Sequence, residues 1–247
     1  MITAGCLGGT PEETTDANYP PGVSENGIQN LSHLYDAHFR ELRGGFSENS
    51  TVYTRRKNGI TTRTSIKRID DDGNIYALRI QSADGVKKTV EKIWRRNASS
   101  TIYLVNTRIH ETYNSTQYGL GGPEAIRFKN YSVLTRRQLS RSLDGANQTI
   151  ERVEYRGSKL WRIRLNSSDT TLFVEESGLI REFRDVDSSD TLTLVWTVRI
   201  KKIGDLKEPS WTRTVENRTN IKEFLKKRLN SSNSTETRNS NSTDSSG

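Results

Sequence analysis

The chain has 247 residues, a formal net charge of +8, 31% hydrophobic residues and one cysteine. That length makes one or two domains with a real core, although the apolar content sits below the roughly 45–50% (glycine counted) of an ordinary soluble domain. One cysteine excludes an internal disulfide framework, a cysteine-based zinc site and a CxxC redox pair, and no run of about 20 apolar residues offers a membrane-spanning helix.

The positive charge raises nucleic acid or an anionic surface as partner. Its basic pairs (Arg55-Arg56, Arg95-Arg96, Arg136-Arg137, Lys201-Lys202, Lys226-Lys227-Arg228) are scattered among acids, with no nucleic-acid motif beside them. They read as the wet faces of strands, and no nucleic-acid partner is expected.

Residues 7–27 are rich in Gly, Pro, Thr, Asp and Glu without periodicity, so residues 1–27 read as a flexible tether. Ile28, Leu31, Leu34, Tyr35, Phe39 and Leu42 then recur at helical spacing up to Gly44-Gly45, with Asn30 a suitable N-cap. After Ser47 the period becomes two. Asn58-Gly59, Asp72-Gly73 and Asp84-Gly85 suit tight hairpin turns and predict strands over about 50–57, 60–69, 74–82 and 86–95. A fifth strand follows over 101–108, then a loop over 116–131 and a short helix over 132–143. Strands resume over 149–155, 159–165, 171–176 and 179–184. In TLTLVWTVRIKK, Leu192, Leu194, Trp196, Val198 and Ile200 share one face of a strand, as in an antiparallel sheet with one wet side. Residues 216–229 suit a basic amphipathic helix, and the Asn/Ser-rich tail over 230–247 is expected to be disordered.

These elements predict a single α+β domain over 28–215, followed by the short basic helix and tail over 216–247. Its expected architecture is a large curled antiparallel sheet, a half-barrel, with the N-terminal and mid-chain helices against the concave face. Tyr76, Leu78, Ile80, Trp94, Trp161, Ile163, Leu192, Leu194 and Trp196 are the candidates to line a concave apolar cavity, although each taken singly is better explained as ordinary core.

Eleven of the 18 asparagines stand in Asn-x-Ser/Thr, well above what the Ser and Thr content alone would place there. Asn49, Asn97, Asn114, Asn130, Asn147, Asn166, Asn217, Asn230, Asn233 and Asn241 are the glycosylation candidates, which implies exposure outside the cytoplasm. Asn30 also fits the pattern but is needed as a helix cap. A Ser/Thr/Asn-rich surface without glycans would give the same count. Thr3-Ala4-Gly5-Cys6 has the form of a lipobox, with small residues before a cysteine whose thiol takes a lipid. Only five residues precede Cys6, so this reading expects a signal peptide upstream of the recorded start.

GCLGG, YPPGVSENGIQNLSHLYDAH, VEESGLIREFR and KEPSW together resemble a family of uncharacterised lipoproteins of halophilic archaea, over most of residues 1–215. That resemblance implies a cell-surface, lipid-anchored protein without an assigned activity. One helix followed by a long meander is more distantly similar to LolA-type carriers and to the mycobacterial LppX/LprG lipoproteins, which hold acyl chains in a concave cavity. Proteins of halophilic archaea are usually acidic. The opposite sign here points to an acidic envelope partner, such as a surface layer or anionic lipid heads.

Little in the chain argues for catalysis. His33 and His38 lie five apart on one helix, about 500° of rotation, and do not form a metal-binding pair. Asp70-Asp71-Asp72-Gly73 lacks the alternating ligands and distal Glu of a calcium loop. Neither a GxSxG elbow nor a phosphate loop is present, so no enzyme, metal or cofactor is expected. Three readings stand: a lipid-anchored surface protein carrying a lipid or amphiphile, a non-catalytic interaction domain with a filled core and a basic face, and, last of the three, an unrecognised envelope hydrolase.

Overall fold

Helix α1 (Leu31–Glu41) starts where its cap is written: the Asn30 side-chain oxygen accepts from the His33 backbone N–H at 3.0 Å, satisfying one donor that a helix leaves free. The computed structural model describes residues 18–97, 101–121, 134, 139–140, 147–165 and 169–219. Before α1, two short strands, β1 (Val23–Ser24) and β2 (Gly27–Ile28), pair within the stretch expected to be part of the tether.

Eleven further strands form one antiparallel sheet: β3 (Phe46–Arg56), β4 (Gly59–Ile69), β5 (Ile75–Ala83), β6 (Val86–Arg95), β7 (Ile102–Ile109), β8 (Asn114–Gly121), β9 (Gln148–Tyr155), β10 (Ser158–Leu165), β11 (Thr171–Val174), β12 (Ile180–Ser188) and β13 (Leu192–Lys202). A second helix, α2 (Trp211–Arg218), follows. Asp84-Gly85 and Arg156-Gly157 are two-residue turns with φ of 50° and 78°, and 53° and 76°. These are the left-handed pairs that a type I′ hairpin requires.

The strand order is β8-β7-β6-β5-β4-β3-β13-β12-β11-β10-β9. Two meanders, β3–β8 and β9–β13, therefore meet through the long β3–β13 ladder, while β8 and β9 are the edges of a sheet that does not close. Register connects all eleven strands. Ile150, Ile163, Leu172, Phe183, Val198, Ser50, Ser65, Arg79, Glu91, Asn106 and Gln117 form one row. One residue along, Glu151, Arg162, Phe173, Glu182, Arg199, Asn49, Ile66, Leu78, Lys92, Val105 and Tyr118 form another. Adjacent residues point to opposite faces. The first row is apolar in β9–β13 and polar in β3–β8, and the second is largely the reverse. The sheet thus changes its apolar side near its middle.

The main core lies on the first face of the β9–β13 half. Leu34 and Leu42 from the α1 region pack there with Phe46, Ile163, Leu172, Phe183, Val198 and Ile200. Gly178, at φ +94°, lets the β11–β12 turn approach α1: a Cβ there would stand 2.6 Å from that of Ala37. A smaller cluster of Ala77, Ile93 and Ile102 occupies the same face of β5–β7. Helix α2 packs on the opposite face, where the Tyr103 hydroxyl donates to Glu216 at 2.9 Å and Arg218 lies 5.0 Å from the Tyr118 ring.

Several expectations change. Residues 114–121 are a strand, not part of a loop; β8 hides its strand character behind Gly119 and Gly121 and an exposed polar start. Strand β3 begins at Phe46, four residues early, because Ser47 and Glu48 are buried polar side chains that break the simple alternation. The hairpin expected at Asp72-Gly73 is a longer loop, held by Asp70. Helix α2, which is not one of the two helices expected against the concave face, lies on the face opposite α1, and it starts at Trp211, ahead of the stretch over 216–229 where a C-terminal helix is expected. The helix expected over 132–143 lies outside the described residues except for Leu134, Leu139 and Ser140, and both leucines are fully buried in the main core.

Candidate functional site

A cleft of about 340 Å³ opens on the second face, where β12, β13, β3 and β4 run side by side and the β9–β10 turn leans over them. Arg68, Arg156, Arg181, Arg199 and Lys201 surround it. Among the described residues that line it, Glu182 is the one acid. Strand alternation produces this arrangement: Arg199 and Lys201 are the outward partners of the buried Val198 and Ile200, and Arg68 enters two strands away.

Glu182 is buried and organises one wall. Its Oε2 accepts from the Tyr155 hydroxyl at 3.0 Å and from Arg199 Nε at 2.9 Å, and Arg156 Nε stands at 3.8 Å. Tyr155 stacks on Phe173 with ring centroids 3.9 Å apart. The left-handed Arg156-Gly157 turn therefore folds its charge back over the sheet. Arg181 pairs with Glu175 at 3.3 Å. Arg68 lies 5.6 Å from the Tyr76 ring, and neither it nor Lys201 forms an ion pair among the described residues. Ile66 and Leu160 add apolar wall. Such a gathering of guanidinium and ammonium groups is of the kind that forms charge-assisted hydrogen bonds to carboxylate or phosphate oxygens.

On the first face, ionisable groups are buried for another reason. Glu48 sits opposite Lys67 across the β3–β4 ladder. Burial pushes its carboxyl up to about 8, although the Lys67 charge and the Leu134 backbone N–H act the other way. Burial likewise lowers Lys67. His38 is held down to about 4 by burial, and its Nδ1 accepts from the Ile180 N–H at 3.2 Å, joining α1 to β12. Burial opposes ionisation of Asp70, yet hydrogen bonds from Asn74 and the Leu206 backbone outweigh it and hold the carboxyl below its usual range. Asp70 thus fastens the β4–β5 loop to the segment after β13.

The nine residues assigned to one apolar cavity do not share a face. Trp161, Ile163, Leu192, Leu194 and Trp196 belong to the first face; Tyr76, Leu78, Ile80 and Trp94 belong to the second. Ile163 is fully buried in the main core. Trp196 donates to Ser50 Oγ at 3.0 Å and packs edge-on against Phe183. Trp161 donates to the Asn18 carbonyl at 3.1 Å, with the Tyr19 ring beside it. Leu78 and Ile80 are half-buried, Tyr76 lies beneath Arg68, and Trp94 is buried.

Asn49, Asn97, Asn114, Asn147 and Asn217 are exposed, and Asn49 lines the cleft. Cys6, Asn130, Asn166, Asn230, Asn233 and Asn241 lie outside the described residues. Sequence reasoning passed over Arg199 and Lys201 as ordinary wet-face residues. Their alternation with Val198 and Ile200 placed them on one face, but nothing in the chain placed Arg68, Arg156 and Glu182 beside them.

No protein-family model matches the chain, and no curated protein matches it in sequence. Similar solved structures include a DUF1329 family protein from Desulfovibrio piger, 11% identical over 73% of this chain and 95% of that one, with a TM-score of 0.27. The Pseudomonas aeruginosa MucA/MucB complex gives 9% identity over 72% of this chain and 59% of that one, with a TM-score of 0.34. A Vibrio parahaemolyticus domain described as an outer membrane lipoprotein-sorting protein gives 9% over 75% and 99%, with a TM-score of 0.27. Similarities at this level carry no argument about shared function, and they do not show the halophilic archaeal family.

Proposed function

We propose that this protein is a non-catalytic binding domain of the cell envelope, tethered through a lipid on Cys6, which meets an acidic partner through its basic second face. The observation that carries this reading is the cleft: five cations gather around one buried, already satisfied carboxylate. The Asn-x-Ser/Thr pattern and the lipobox support the envelope location. The carrier reading is weaker, because its nine lining residues divide between two faces and those on the first face include filled core.

Co-sedimentation of the full chain with vesicles tests it. Phosphatidylglycerol vesicles are expected to retain the protein and phosphatidylcholine vesicles to leave it in solution, with retention lost as salt shortens the Debye length below about 10 Å. Equal behaviour on the two vesicle types removes the proposal. Intact mass from the native membrane fraction tests the anchor, which requires a mature terminus at Cys6 carrying a lipid.

A further inference from the structure

The cleft also has the shape of a specific site. Lys201, Ser47 and Arg68 lie in one register row across β13, β3 and β4, and Arg199, Asn49 and Ile66 lie in the next. Strands two apart are separated by about 10 Å, so Lys201 and Arg68 border the same cleft from strands on either side of Ser47. Arg199 is pre-aligned by its bond to Glu182 at 2.9 Å. Guanidinium forks match the oxygens of a phosphate better than a compact ammonium does, and four of the five cations here are arginines.

The walls are not polar throughout. Ile66, Leu160 and the Tyr155 ring border the same space. A volume of about 340 Å³ lies at the small end of ligand pockets, which run from about 300 to 1,000 Å³. It suits a headgroup and the start of a chain, not whole acyl chains.

We propose that this cleft binds the phosphate ester headgroup of an anionic amphiphile, held by Arg68, Arg199 and Lys201. The inference rests on the reading of the protein as an envelope-binding domain and names the ligand class of its basic face. Glu182 orients Arg199 and also limits affinity, because its own charge faces the incoming anion. Asn49 stands at the cleft within Asn49-Ser50-Thr51. A glycan on it and a headgroup in the cleft would compete for the same opening.

The test is calorimetric titration of the full chain with dioctanoyl phosphatidic acid, inorganic phosphate and poly-glutamate in parallel. Phosphatidic acid is expected to bind, with inorganic phosphate weaker because it leaves Ile66 and Leu160 uncovered. The double variant Arg68→Ala/Lys201→Ala is expected to lose about tenfold or more, since it removes two charged donors to the phosphate. Both side chains are exposed, so circular dichroism of the variant should match the parent. Glu182→Gln is expected to tighten binding several-fold.

An unchanged affinity in the double variant overturns the proposal, as does equal affinity for inorganic phosphate or a response to poly-glutamate alone. If the double variant fails to bind phosphatidic acid any less but the parent still prefers anionic vesicles, the site is wrong and the envelope reading stands. If the parent ignores both, the two fall together.

Discussion

The two halves of the sheet solve burial differently. The β9–β13 half packs a continuous apolar face against α1, with Leu172, Leu179, Ile180 and Phe183 fully buried. On that same face, the β3–β8 half holds only a small apolar cluster and several ionisable groups, among them Glu48 and Lys67. Its larger apolar side chains turn to the other face, where α2 supplies local cover. One half therefore carries most of the apolar core, while the β3–β13 seam leaves an open polar cleft. Mutations should respect that division.

The largest effect is expected from Phe183→Ala, which empties the first-face core beside Trp196. It should cost about 3–5 kcal/mol, read as the shift of the urea unfolding midpoint; a loss below about 1 kcal/mol would remove the distinction between the halves. Gly178→Ala comes next, at about 1–3 kcal/mol, because it combines a left-handed φ with the close approach to Ala37.

The pH dependence sharpens the comparison further. Glu48 titrates near 8 in the folded protein, so the folded state holds an extra proton between about pH 4.5 and 8. Its contribution is complete below that window and is lost as pH rises. His38, lowered to about 4, contributes stability that is present above about pH 6.5 and lost as pH falls towards 4. The two slopes oppose between about pH 4.5 and 6.5; of these two groups only Glu48 acts between about 6.5 and 8, where its own contribution should fall by about 2 kcal/mol, opposed by whatever part of the lowered Lys67 titration falls in that window. Glu48→Gln should flatten that decline in urea titrations at pH 6.5 and 8. A decline that persists unchanged would remove Glu48 as its cause.

Leu78→Ala, on the half-buried second face, should cost about 1 kcal/mol, less than a core truncation. The smallest effect is expected at the exposed pair Lys202–Glu41, joined at 2.6 Å. Lys202→Met should change stability by less than about 1 kcal/mol, and a larger loss would show that this contact fastens α1 to β13 more than its exposure suggests.

Much of the local structure was legible in the chain. Asn30 capped the helix as its side chain allows, and Asp84-Gly85 closed a hairpin because two successive left-handed residues are needed there. Alternation placed β4–β7 and β10–β13 within a few residues. Strand β8 was missed because its glycines and polar start carry no period-two signal. The lining set was misassembled for a subtler reason: alternation tells which residues of one strand share a face, but not which face of the next strand they join.

The sequence by itself determined the α+β class, the position of α1, most hairpins and the strongly basic character, because each depends on neighbours along the chain or on composition. The tertiary structure decided the β3–β13 seam, the exchange of apolar sides and the meeting of Arg68, Arg156, Glu182, Arg199 and Lys201. Those depend on inter-strand register, where a shift of one residue turns every side chain to the opposite face.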